Sequence, residues 1–247
     1  MSRIELQRLF FARRANDVSA AGAPVGIVCA TGFELLPLKL AMGLVKKTRI
    51  DGRTYYWGPV GGRRTVTVRC GVGMENAGRC AEKLICDFGC AELVAAGVAG
   101  ALDPGLSIGD IVVSTETVRY DTAPGSFGTA LEEPFPADPA LRAAAVSAAR
   151  SAAPCARVVE GRVCSGDRFI STEAQRERLA SGISGACCDM ESAAIARVCG
   201  LNRAPFVSIR AVSDRPGETG PLELRINAAK AALRCAAAVR YMMKNGT

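Results

Sequence analysis

The sequence predicts a single-domain three-layer α/β/α sandwich around a central mixed β-sheet, and three observations carry that expectation. Strand-like apolar runs alternate with helix-periodic segments along nearly the whole chain, the pattern of a sheet covered by helices on both faces. The 247 residues fit one domain of this class with a complete core. Hydrophobic residues make up 49% of the chain, too many for a disordered polymer. Residues 1–23 stand apart as a leader, helical or disordered, and 24–247 form the domain. No repeat, low-complexity tract or linker divides it.

The elements follow in order. VGIVCA at 25–30 reads as a buried first strand, followed by a helix through Leu35, Leu38 and Met42. A hairpin places Tyr55-Tyr56-Trp57 and Val66-Thr67-Val68 on either side of the turn Gly61-Gly62. Ala77, Cys80, Ala81, Leu84, Ile85 and Phe88 keep a three-four spacing, one face of an amphipathic helix. Strands are expected over 93–99 and 111–118, separated by the turn Asp103-Pro104-Gly105. The stretch 121–138 is rich in Pro, Gly and acidic residues, lacks periodicity and reads as a functional loop. Beyond it come a helix at 139–152, a strand near 157–164, helices near 173–180 and 189–199, a strand at 206–211, and a last helix over 222–243.

Composition removes several function classes. The net charge is +7, but the basic residues are scattered and aromatics are only 5%, so the basic stripe of a nucleic-acid binder is missing and no nucleic-acid partner is expected. The chain has no histidine, which excludes Cys/His zinc sites and imidazole bases. Its eleven cysteines lack metal-ligand spacing, so no metal is expected, and they read as free thiols of a reducing cytoplasm. No apolar run approaches the roughly 20 residues that span a bilayer, and the leader has no signal-peptide core. Leu6, Leu9 and Phe10 with Arg8, Arg13 and Arg14 offer the leader a weaker alternative, peripheral contact with a membrane surface.

The chemistry is sought where acidic side chains interrupt apolar segments. Gly71-Val72-Gly73 at a strand-helix turn falls short of a dinucleotide fingerprint, because position 76 is Asn, and it reads as a tight turn. Glu34 follows the first strand, Asp189-Met190-Glu191 opens a helix after a Cys-Cys pair, and Asp214 follows FVSIRAVS. Each alone would serve as a helix cap or ion-pair partner. Three acids at strand exits of one sheet point further, to a hydrolase or transferase with a carboxylate site.

At this point the chain resembles the nucleoside phosphorylase/nucleosidase superfamily, above all its 5′-methylthioadenosine/S-adenosylhomocysteine nucleosidases. The resemblance rests on VGIVCATGFELLPL, GVGMENAG, GVAGALDPGLSIGDIVVSTE, VCSGDRFI, DMESAAIARVC and PFVSIRAVSD, in that order. It implies the nucleoside phosphorylase/hydrolase fold, no cofactor, a purine nucleoside as the small-molecule partner, and a homodimer. It also implies roles. Glu34 matches the glutamate that activates water, and Asp214 the acid that protonates purine N7, with Ser213 orienting it. Phe169 matches the aromatic stacked on the base, and the backbone at Ile170 would hydrogen-bond it. Met190 packs on the ribose, Glu191 grips its 2′- and 3′-hydroxyls, and Arg210 lies near the water. A protonated leaving group and an oxocarbenium-like ribosyl give these roles a physical basis. Glu34 would act ionised and Asp214 protonated, so their surroundings should differ.

The chain also departs from the family pattern. Val98 stands in the glycine-rich turn where relatives carry a hydroxyl, Asp189 replaces a Glu, Arg168 replaces a small residue, and the segment after Arg119-Tyr120-Asp121 is unlike the family's 5′ pocket. The unusual 5′ region and the basic, apolar leader also suit a lipid-linked nucleoside, as in the hopanoid-associated members that release adenine from adenosylhopane; futalosine hydrolases are a further subgroup. Two alternatives stay open. A phosphorylase would use phosphate as nucleophile, although Ala30-Thr31-Gly32-Phe33-Glu34 stands in place of the Gly-Asp-Pro-x-Arg loop and Glu34 would repel the anion. A non-catalytic nucleoside-binding protein would keep the fold and lose the chemistry.

Overall fold

The computed structural model describes residues 22–43, 45–122, 127, 133–217 and 221–245. Strand β1 (Val25–Cys29) is buried along its whole length and lies parallel between β4 (Arg63–Arg69) and β5 (Glu92–Ala101). Strand β3 (Arg53–Val60) pairs antiparallel with β4 through the Gly61-Gly62 turn, as expected, and β2 (Lys46–Ile50) adds an edge that the sequence reading left out. KKTRI carries no apolar alternation because this strand is an outer edge, where charged side chains discourage further pairing.

The other half of the sheet closes on itself. Strand β10 (Phe206–Asp214) pairs with β5 and with β6 (Ile111–Arg119); β6 pairs with β8 (Val158–Ser165) and with the short β7 (Phe135–Pro136). Strand β8 then pairs with β9 (Cys187–Asp189), which returns to β5. β1 and β9 therefore share one edge of β5: β1 takes Glu92–Ala95 and β9 takes Gly100 and Ala101. Between them that edge is open over 96–99, where the sheet splits. Crevices at such divergences, outside the carboxyl ends of strands, are where α/β sheets bind ligands.

Among the described residues six helices cover the faces: α1 (Gly32–Ala41), α2 (Met74–Cys86), α3 (Pro139–Ala152), α4 (Glu173–Ile183), α5 (Ser192–Asn202) and α6 (Pro221–Asn245). Period-two alternation sends Ile27, Val94, Val113 and Ile209 to a core with α1, α3 and α6. Val28, Val66, Leu93 and Ala95 go to the opposite core with α2 and α5. The mixed sheet sandwiched by helices is as the sequence predicts.

Two expectations need correction. The helix read over 189–199 begins only at Ser192, and residues 187–189 are strand β9. Three residues are too few for a periodicity to register. The strand read over 206–211 continues to Asp214 with all nine residues buried. Among the described residues no helix is long and apolar enough to cross a membrane. The leader with Leu6, Leu9 and Phe10 lies outside the described residues, as does half of the stretch 121–138, whose described part includes the short strand β7.

Candidate active site

Where the sheet splits, a cavity of about 280 Å³ opens. Glu34, Val98, Phe169, Ile170, Met190, Glu191, Ser213 and Asp214 all line it, drawn from five separate stretches of chain. Arg210 does not reach the wall.

Glu34 sits in the first turn of α1, directly after β1. Its Oε2 accepts the Thr31 N–H at 2.7 Å, the reach-back of a capping box. Its Oε1 accepts the Val98 N–H at 2.9 Å, a donor on the stretch of β5 that β1 and β9 leave unpaired. Glu34 thus serves as part of the α1 cap and also lines the cavity. The carboxylate is fixed by the backbone at two points and still faces the cavity. Gly97 makes this possible, because a Cβ there would collide with both Glu34 Oε1 and Arg210 Nη1.

Asp214 ends β10, just past a register shift between Val212 and Asp214 that re-aims its side chain. Its Oδ1 accepts the Ser213 hydroxyl at 2.6 Å. Burial raises its carboxyl above the ordinary value, and the Ser213 hydrogen bond offsets only part of that rise. A carboxyl biased towards its protonated form is what a proton donor needs.

Glu191 precedes α5, and its Oε1 accepts the Gly73 N–H at 3.0 Å. Burial, followed by the like charge of Asp189, pushes it up to about 7, against the opposing pull of Arg210 and the Gly73 N–H. The Gly71-Val72-Gly73 turn, read above as a tight turn only, is thus part of the site. Gly73 has φ 107°, a conformation open to glycine, and this aims its N–H at Glu191.

Phe169 stands on the rim, 58% exposed, while Ile170 beside it is buried. Tyr120 supports this segment by donating its hydroxyl to the Arg168 carbonyl at 2.7 Å. Asp189 also lines it, as do Tyr120, Cys188, Leu224 and Ala228, to which the sequence assigned no role in the site. Leu224 and Ala228 look like ordinary helix positions until α6 is laid across the opening. Arg210 lies behind the wall, fully buried, with Nε 2.8 Å from Asp189 Oδ2. Burial works against its charge, but Asp189, Glu191 and Glu34 outweigh it and hold the guanidinium protonated. Among the described residues no three His, Cys, Asp or Glu side chains gather into a metal-binding group.

Residues 24–244 match the family model described as the Phosphorylase superfamily. The chain belongs to the Phosphorylase superfamily. This superfamily member is 36% identical over 220 residues to a protein of Treponema pallidum named 5′-methylthioadenosine/S-adenosylhomocysteine nucleosidase, spanning 78% of this chain and 81% of that relative. It is similar to the solved 5′-methylthioadenosine/S-adenosylhomocysteine nucleosidase of Neisseria meningitidis in complex with methylthio-immucillin-A. There the TM-score is 0.84 at 31% identity, over 91% of this chain and 100% of the other. The nucleosidase of the same name from Colwellia psychrerythraea, in complex with adenine, gives a TM-score of 0.84 at 30% identity, over 90% and 94%.

Proposed function

We propose that this Phosphorylase-superfamily chain hydrolyses the N-glycosidic bond of 5′-substituted adenosine-type nucleosides and releases the purine base. The observation that carries this reading is the convergence of Glu34, Glu191 and Asp214 on one cavity, each held by its own backbone or hydroxyl donor. The base lies by Phe169 and Ile170, and the ribose packs on Met190 with its hydroxyls on Glu191. As the C1′–N9 bond breaks, its electron pair passes to the purine, and Asp214 delivers a proton to N7. Glu191 stabilises the positive charge that grows on the ribosyl group. Water bonds to C1′ and gives its proton to Glu34.

Water is favoured over phosphate because Glu34 presents a carboxylate where the nucleophile must stand, and Val98 N–H, the nearby donor, is already taken by it. An anion would need donors there. The apolar Val72, Pro216, Leu224 and Ala228 along the wall suit a thioether or hydrocarbon 5′-substituent. We place the enzyme in a reducing cytoplasm, in keeping with its free thiols, and as a homodimer, in keeping with the exposed Phe33, Leu36 and Leu40 around α1.

The test is product analysis with methylthioadenosine, with and without millimolar phosphate. Free adenine and free methylthioribose at a phosphate-independent rate are expected. A ribose-1-phosphate derivative as the main product would overturn the hydrolase reading, and bound nucleoside with no base released would leave a binding protein.

A further inference from the structure

An N-cap residue ordinarily turns its own side chain back onto the free N–H groups of the first helical turn. Glu191 holds that position on α5 but makes no such bond, with φ −139° and ψ −40°. Its carboxylate turns instead to the N–H groups of Gly73, at 3.0 Å from Oε1, and Met190, at 3.3 Å from Oε2. The duty has moved two residues upstream. Asp189 Oδ1 accepts the N–H groups of Glu191 and Ser192, both at 3.2 Å.

The same carboxylate is bound from two further directions. Ser165 of β8 donates its hydroxyl to Oδ1 at 2.5 Å, and the Ser165 oxygen in turn accepts the Ala193 N–H at 3.0 Å. Oδ2 takes the Ser192 hydroxyl at 2.5 Å and Arg210 Nε of β10 at 2.8 Å. Asp189 and Arg210 are 1% and 2% exposed at the side chain. Five donors from β8, α5 and β10 therefore meet on one buried carboxylate at the cavity's edge, and three of them belong to the turn that carries Glu191.

We propose that Asp189 is the positioning residue for Glu191: by capping α5 in its place and tying that turn to Ser165 and Arg210, it frees the Glu191 carboxylate to meet the ribose hydroxyls. The proposal rests on the assignment of Glu191 to the ribose made above. Asp189 lines the cavity but its carboxylate is 1% exposed and taken up by these donors, so its effect should appear where Glu191 has something to hold. An asparagine keeps the shape but has one acceptor oxygen for these five donors, and its amide would face either the guanidinium or Ser165.

The experiment compares adenosine with 2′,3′-dideoxyadenosine, measured as calorimetric binding and as kcat/KM, in wild type and Asp189→Asn. The expected result is a loss of at least about tenfold on adenosine, the scale of a charged hydrogen bond, with dideoxyadenosine nearly unchanged. If Asp189→Asn does not fold, Ser165→Ala removes one donor without unpairing Arg210, and it should still narrow the preference for adenosine several-fold. An adenosine preference as large as in wild type, in whichever variant folds, overturns the proposal. Binding decides this whether or not base is released, so a failure of the hydrolase reading shows separately, as wild type that binds adenosine without turnover.

Discussion

Glu34 and Glu191 are both carboxylates with few routes to solvent, yet their supports differ. Glu34 is held by two backbone N–H groups, from Thr31 and Val98. Replacing it with Gln preserves the outline and removes the proposed base. Glu34→Gln should retain nucleoside affinity by calorimetry and lose turnover by at least about 10²-fold, the lower range for general-base catalysis. Burial, and after it the like charge of Asp189, pushes Glu191 from the ordinary 4.5 up to about 7. Below the ordinary value both folded and unfolded chains hold the proton. Between 4.5 and about 7 the unfolded chain releases it while the fold retains it, so stability falls as pH rises through that window. Glu191→Gln should remove this loss and be more stable than wild type at pH 8 by about 1–3 kcal/mol while losing activity on ribonucleosides. Melting curves at pH 5 and pH 8 read it directly, and a variant less stable than wild type at pH 8 contradicts it. This is the stability cost of keeping a buried acid where a positive charge will form.

Elements position these residues through their ends. Helix α1 carries Glu34 in its first turn, α5 starts just after Glu191, the second half of β5 carries Val98, and β10 ends on Asp214. Helix α3 is different: its cap serves the fold alone. Asp138 accepts the N–H groups of Ala140 and Leu141 at 3.0 and 2.9 Å, with Pro139 at the first helical position. Asp138→Ala should cost about 1 kcal/mol of stability in denaturant titration and leave kcat/KM unchanged. The α3 span of 139–152 was legible residue for residue, because a cap, a proline and a small-residue face agree with one another. β9 had no such agreement: CCD is a strand only because β8 and β5 lie on either side of it.

The whole molecule decides what is reachable. Of the eleven cysteines, Cys86 and Cys155 are exposed and the others are buried, several with thiols raised further by burial. A thiol reagent should therefore titrate two groups quickly in the native protein and eleven after denaturation. Rapid reaction of many more would mean the cores are open. Sequence alone determined the alternation of strands and helices, the lack of any imidazole, and, through its resemblance to a family, the acids that line the cavity. Those properties are local: a period, a residue type, a motif at a strand exit. Tertiary structure decided the rest. It set the split edge of β5 that leaves Val98 N–H for Glu34, the Gly73 N–H on Glu191, the withdrawal of Arg210 behind the wall, and the transfer of the α5 cap to Asp189. The first two join residues 64 and 118 positions apart, and the last depends on a side chain giving up its usual local partner. A hydrogen bond of that range leaves no spacing in the chain, because it exists only once the strands between its partners have paired.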